Sequence, residues 1–353
     1  MTIIFAILLF SLLVFVHELG HFVAAKASGV QVNEFAIFMG PALVKWRRGE
    51  TLYSIRCIPF GGYCAMEGED ADTDNPRSFL KAVWWKRLIV LLAGSFMNFV
   101  AGVLILLIIY MPSQQLIVPQ IALVEEGSLV GGENGLQVGD TILELDGEKI
   151  YMQSDFSMIL SFNPGEVHDI VLERNGQKVY LDDFLMRKAE FTNPDGSTGM
   201  RYGFSFSIVD GNPALNLKTA WNAALDYVRV VRMSLKMIFT GQAGLQDVSG
   251  PVGIVQQMNQ TAQESDGALD AVMNMLNFGA MIAINLAVMN LLPIPALDGG
   301  RVVGLLLTTL IQAVTRKKPN PKVEAYIHGA GMILLLLLMA VIMFKDVFTL
   351  FKG

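Results

Sequence analysis

Cysteine is nearly missing from this chain: 353 residues contain two, Cys57 and Cys64. Seven positions apart and without a second pair, they form neither a zinc knuckle nor a disulfide framework, and they read as free thiols on a reducing side. Charge is scarce too. Asp, Glu, Lys and Arg make up 16% of the residues, against about 25% in ordinary soluble proteins. The few basic residues gather into no stripe of the kind that binds nucleic acid. No basic segment precedes the first apolar run, and that run contains His17, Glu18 and His21. A cleaved signal peptide has the opposite pattern and is not expected.

Apolar residues are what the chain has in excess, 53% of the total, in blocks of the roughly 20 residues that a bilayer requires. Four spans are expected, at 3–25, 88–111, 271–292 and 326–344. A further apolar helix is expected at 302–314. A straight helix over 271–314 would be about 65 Å long, twice the hydrocarbon thickness. Pro293 and Pro295 break it. Irregular backbone at membrane depth persists only where protein buries it or a wet cavity adjoins it. The break therefore points at a site.

Charge distribution sets an expected orientation. Residues 26–87 carry nine Lys/Arg, and the stretch 316–322 is basic, whereas 113–220 hold sixteen Asp/Glu against seven Lys/Arg. The positive-inside rule puts the basic loops in the cytoplasm and the acidic region outside, with both termini outside. Residues 31–66 alternate and are rich in β-formers, with Arg48-Gly49-Glu50 as a turn. They predict a hairpin against the cytoplasmic edge of the bilayer. Within 113–210, Asp146-Gly147 and Asn175-Gly176 are tight-turn signals of a small β-rich domain. The segment 221–239 is amphipathic. The expected architecture is a polytopic α-helical membrane protein in four parts: a first half of the membrane core (1–112), an extracytoplasmic β-rich domain (113–210), an amphipathic helix and linker (211–270) and a second half of the core (271–353).

The chemistry starts at His17-Glu18-Leu19-Gly20-His21. Histidines four apart project from one helical face, about 6 Å apart along the axis, and can share one Zn²⁺. Glu18 lies about 100° round the helix, placed to act on a water rather than as a ligand. Ionisable groups inside a span are costly and usually functional. Catalytic zinc takes a third protein ligand and keeps an open position. His328, at the start of the fourth span, and Asp298, at the break, are the candidates for that ligand, and Asp298 is the better placed. Taken alone, Leu297-Asp298-Gly299-Gly300 is equally a turn in which Asp stabilises the backbone. About fourteen residues precede His17 in the span, roughly 21 Å of helix against a core of about 30 Å. The metal is thus expected in the cytoplasmic third of the bilayer.

HELGH in a first span, with Asn290-x-x-Pro293-x-Pro295-x-Leu297-Asp298-Gly299 after a third, resembles the site-2 protease family of intramembrane zinc proteases. The nearest likeness is to the bacterial regulator of sigma-E type. Gly94-Ser95-Phe96-Met97-Asn98 looks like that family's GxxxN, and residues 58–70 look like its loop after the hairpin. Residues 135–147 look like an extracytoplasmic PDZ domain, of which one unit is present where enteric members carry two. The resemblance implies one zinc held by His17, His21 and Asp298, with Glu18 as general base. It places Asn290 on the substrate backbone or the oxyanion, and makes Asn98, Gly94 and Pro293 substrate-side positions. Gly94 and Asn98 have a second reading, as close helix packing and an interhelical hydrogen bond. The resemblance further implies a bacterial cytoplasmic membrane enzyme that cuts single-span proteins already trimmed outside, such as anti-sigma factors or signal-peptide remnants. A non-enzymatic PDZ scaffold and a metal transporter are the alternatives. A scaffold has no need of Glu18, and a transporter needs more than one intramembrane polar site along its path.

Overall fold

The structure is a computed structural model that describes residues 2–69, 73–192, 197–244, 248–265, 267–316 and 321–352. Asp70 of the loop after the hairpin and residues 317–320 of the expected basic stretch lie outside the described residues. The chain forms two compact units, Met1–Ile105 with Ser234–Gly353, and Leu106–Met233.

The first unit opens with α1 (Thr2–Ser28), followed by β1 (Val32–Arg48), β2 (Thr51–Met66) and α2 (Trp84–Tyr110). Gly29, at φ +81°, ends α1 in the left-handed conformation that glycine adopts without strain. The expected simple hairpin is more elaborate. Both strands are bent, and residues 34–37 pair with 52–55 on one side and 32–37 with 62–66 on the other, while 42–48 pair with 51–56. Phe38, Gly40 and Gly61 have positive φ at the bends, which allows two long strands to double back. The result has four strand segments in the order 42–48, 51–56, 32–37, 62–66. Among the described residues, the segment 62–66 is paired on one side only.

The second unit contains β3 (Gln115–Val124), β4 (Thr141–Leu145), β5 (Glu148–Lys149), α3 (Gln153–Phe162), β6 (Val167–Arg174), β7 (Gln177–Leu185), β8 (Ala189–Thr192), β9 (Thr198–Arg201), β10 (Phe204–Asp210) and the first turns of α4 (Pro213–Phe239). Its main sheet runs β10–β3–β4–β6–β7, with β5 paired to β4, and β8 with β9 makes a separate hairpin. Asp146, Asn175 and the glycines after them all have positive φ, as two-residue hairpin turns require. Ile142, Leu145, Phe156, Ile159, Ile170 and Leu172 form the core. The sheet has its own apolar interior, so the unit is held together by burial.

The first unit resumes with α5 (Pro251–Gln263), α6 (Ala268–Asn290), α7 (Asp298–Thr315) and α8 (Pro321–Lys352). Among the described residues, four helices are long and apolar enough to cross a membrane: Ile3–Ser28, Trp84–Tyr110, Ala268–Asn290 and Tyr326–Phe348. Their number and positions match the spans expected from sequence. The break between α6 and α7 is where the prolines put it. Ala296 sits there at φ +79°, strained for a residue with a Cβ, and its N–H donates to His328 Nδ1 at 3.1 Å. The amphipathic segment expected at 221–239 lies within α4, and the linker expected after it holds a further helix, α5. Met258 of α5 packs with Leu9, Leu13, Ile282 and Ala283 of α1 and α6.

Candidate metal centre

Two elements converge on one point. His17 and His21 come from the C-terminal half of α1, and Asp298 is the first residue of α7. His17 Nε2 lies 3.1 Å from Asp298 Oδ2, His21 Nε2 lies 3.3 Å from the same oxygen, and the two Nε2 atoms are 3.1 Å apart. A tetrahedral ion with bonds of about 2.0–2.1 Å separates its ligand atoms by about 3.3–3.4 Å. The triangle fits a zinc ion. Asp298 Oδ2 is buried and has no hydrogen-bond partner, which a cation accounts for and a turn does not. The metal-ligand reading of the LDGG aspartate is therefore the one with physical support.

The imidazoles are oriented from behind. His21 Nδ1–H donates to the Val90 carbonyl at 2.8 Å, which leaves Nε2 as a lone pair for metal. His17 Nδ1 faces the Asn98 amide at 3.4 Å, and Asn98 Oδ1 is buried without a partner. Turning that amide by half a rotation sets Oδ1 against Nδ1–H, satisfies the oxygen and frees Nε2 of His17. Asn98 thus stands behind a ligand.

Two glycines make the approach possible. A Cβ on Gly94 would lie 2.4 Å from His21 Nε2 and 2.8 Å from His17 Nε2, and one on Gly20 would lie 2.4 Å from the Ala93 carbonyl oxygen. The HELGH glycine lets α1 close on α2, and Gly94 leaves the space into which both imidazoles point. Sequence alone assigned no role to Gly20, although its place between the histidines was visible.

Glu18 lines a cavity of about 500 Å³ with His17, His21 and Asp298. Its carboxylate faces the Cys64 backbone, on the unpaired edge of 62–66. Tyr63, Met66, Glu69 and Arg301 complete much of the wall. Glu69 and Arg301 form an ion pair. Neither was singled out from sequence, although Arg301 lies one helical turn after Asp298. Asn290 closes α6 and Pro293 is exposed in the turn that follows. Neither is among the residues lining the cavity. Of the remaining histidines, His328 braces the break as described, and buried His168 is held by Asp146 Oδ2 at 2.8 Å and the Gly165 carbonyl at 2.9 Å. Cys57 is exposed and Cys64 buried, both as free thiols.

The model of peptidase family M50 matches residues 5–338. A putative zinc metalloprotease of Clostridium perfringens is 37% identical over 350 residues, with 98% of each chain covered. One of Fusobacterium nucleatum is 34% identical over 355 residues, covering both chains completely. The regulator of sigma-W protease RasP of Bacillus subtilis is 27% identical over 435 aligned positions, with 99% of each chain covered. The protein is a zinc metalloprotease, and the chain belongs to peptidase family M50, the site-2 proteases.

Proposed function

We propose that this protease cuts single-span membrane proteins within or next to their transmembrane segments, after their extracytoplasmic parts have been trimmed. The observation that carries the reading is the 3.1–3.3 Å triangle of His17, His21 and Asp298 atoms, held partly by a helix whose composition suits a bilayer. Zinc held there supplies a Lewis acid for the peptide carbonyl and makes water a better nucleophile at neutral pH. Glu18 takes the proton of the attacking water and returns it to the departing amine. Gly94 and Asn98 serve the two histidines, and Asn290 with Pro293, at the end of α6, meet the substrate backbone as it leaves the bilayer.

A helical substrate hides its carbonyls in i→i−4 bonds and must unwind first. The free edge at 62–66 supports a route: the opened segment adds as a further strand beside 62–66, which brings its backbone past Glu18. The basic loops support a cytoplasmic placing of this end of the core, with the β-rich unit outside. That unit is read as a single PDZ-like domain. A groove of about 930 Å³ lies between α3 and β10, lined among others by Phe156, Leu160, Phe204 and Phe206, with Arg187 and Lys188 also on its wall. An apolar groove beside an edge strand, with cations on its wall, suits an extended chain end. The name of the Bacillus subtilis relative, a regulator of sigma-W protease, supports membrane-bound regulators of sigma factors as substrates, in the cytoplasmic membrane of a bacterium.

The test is cleavage of a single-span substrate in reconstituted vesicles. Glu18→Gln is expected to abolish cleavage and to keep one zinc per chain. Equal cleavage by wild type and variant defeats the general-base role.

A further inference from the structure

The edge of 62–66 that the substrate is read as joining is already in use. The Cys64 backbone N–H faces the Glu18 carboxylate. Two residues on, on the same side of the strand by the two-residue repeat of a strand, the Met66 N–H donates to Glu69 Oε2 at a long 3.4 Å. Two carboxylates thus stand where the carbonyl oxygens of an added strand would stand. Glu69 is not loose. The turn that carries it is fastened at Phe79 N–H to the Glu67 carbonyl (2.7 Å) and at Leu80 N–H to the Gly68 carbonyl (3.3 Å). Gly68, at φ +61°, has Ser78 Oγ 1.9 Å from where a Cβ would be, so the turn admits only glycine there. The other Glu69 oxygen, Oε1, meets Arg301, one turn along α7 from Asp298 and on the same face. Both side chains line the metal cavity.

We propose that Glu69 is a placeholder for a substrate carbonyl on the Met66 N–H, and that Arg301 is the positioning residue that keeps Glu69 when substrate displaces it. The inference rests on the reading of 62–66 as the receiving strand. The long Met66 bond is the one to exchange, because a carboxylate held by a guanidinium is a weaker competitor for a backbone N–H than a free one. A docking strand then loses nothing to an unpaired charge: Glu69 swings from two partners to one, and Met66 exchanges one acceptor for another. An edge left bare in the resting enzyme would invite pairing with any extended chain, and the placeholder prevents that.

The sign of the effects separates this role from an ordinary structural ion pair. Binding of a fluorescent single-span substrate is measured with the full chain in lipid nanodiscs on a Glu18→Gln background, with zinc content recorded for each variant. Arg301→Gln releases Glu69 onto Met66 and is expected to weaken binding about three- to tenfold, the worth of one contested hydrogen bond. Glu69→Ala is expected to tighten binding by a similar factor, and the double variant to follow Glu69→Ala. Arg301→Lys, which keeps the charge, is expected to stay near the parent. Weakening by Glu69→Ala, or a double variant as weak as Arg301→Gln, overturns the proposal. Cys64→Pro, which removes the neighbouring edge donor, is the control. If it leaves binding unchanged, the receiving-strand reading fails. If it weakens binding while the Glu69 and Arg301 variants do not move it, only the placeholder fails.

Discussion

The metal cavity of the first unit and the groove of the second differ in size and in kind. The groove is nearly twice as large, about 930 Å³ against about 500 Å³. Its charged wall residues have partners: Arg187 pairs with Glu166 and Arg201 with Glu125. Its apolar wall is aromatic, with Phe156, Phe204 and Phe206 in edge contacts. The metal cavity instead gathers three atoms that repel one another unless a cation joins them. Volume and apolar lining describe what a cavity can hold. Unbalanced polar atoms, kept unbalanced by the packing behind them, describe what it does. If that contrast is right, the smaller cavity fails when its ligand atoms are disturbed, and the larger one fails only when it is filled.

The largest effect is expected from Asp298→Asn. A neutral amide in place of the carboxylate takes away one of three ligands and the only ligand charge in the triangle. Zinc content is expected to fall well below one per chain. Cleavage should fall roughly a thousandfold, the several kcal/mol that a metal supplies to the transition state. Full zinc content in the purified variant would break the comparison, because the triangle would then be packing. Gly94→Ala asks the same of the packing behind the ligands. A methyl 2.4 Å from His21 Nε2 must push an imidazole, and zinc affinity is expected to drop by about ten- to a hundredfold, the usual worth of a group that orients a ligand. Gly329→Ala on α8, where a Cβ meets nothing within 4 Å, is the control and should leave zinc binding alone. Equal zinc affinities in the two variants would show that Gly94 does not set the imidazole positions.

The residues of the metal cavity were more legible in sequence than the geometry that unites them. HELGH inside an apolar run shows a cost that only function explains, and two prolines followed by Asp-Gly-Gly mark the break by their backbone chemistry. The four spans follow from length and apolar content alone. What stayed hidden depends on contacts between distant elements. Gly94 and Asn98 match a motif on α2, but that one clears space for the imidazoles and the other stands behind His17 needs the distance across two helices. The doubled sheet was read as one hairpin because the alternation of 32–48 is the same whether the strand runs straight or folds at Phe38, and a positive φ at a phenylalanine has no sequence signal. Helix α5 was missed because thirteen mixed residues after a proline resemble a linker until Met258 is seen packed in the bundle. Glu69 and Arg301 lie 232 positions apart, and neither is unusual in its own segment.

The groove is expected to respond to filling and not to charge loss. Ser157 is exposed on α3 and lines it. Ser157→Trp places an indole in the path of an added chain while leaving the core residues Phe156 and Ile159 untouched. For a substrate with a trimmed extracytoplasmic tail, KM is expected to rise about threefold, roughly the cost of a few lost strand contacts. For a substrate without a tail, KM should stay where it was. An equal change for both substrates would mean that the groove takes no part in selection.

The smallest effect tests whether the second unit has a polar centre of its own. Asp226 of α4 is buried and faces Asp155 of α3, with Arg229 Nη1 3.9 Å from Asp226 Oδ1 and 3.8 Å from Asp155 Oδ2. Tyr110 is the other titratable group near the pair. Arg229 Nη1 also donates to the Lys149 carbonyl at 2.7 Å, so its charge is shared. Burial first, and then the Asp155 carboxyl beside it, push Asp226 up to about 8. Asp155 Oδ2 accepts the Tyr151 and Met152 N–H groups at the start of α3, and Asp226 carries the proton at neutral pH. The folded state holds that proton more tightly than the unfolded chain does. The stability it contributes is complete below the ordinary carboxylate range and is lost as pH rises through about 8. Thermal unfolding of the second unit in the full chain is therefore expected to drop by a few degrees between neutral and mildly alkaline pH. Asp226→Asn, which keeps a hydrogen-bond donor toward Asp155 at every pH, should flatten that slope while zinc content stays the same. A slope unchanged in the variant would place the titration elsewhere. The unit would then hold paired charges only, and the metal cavity would remain the one place among the described residues where polar atoms are gathered without balance.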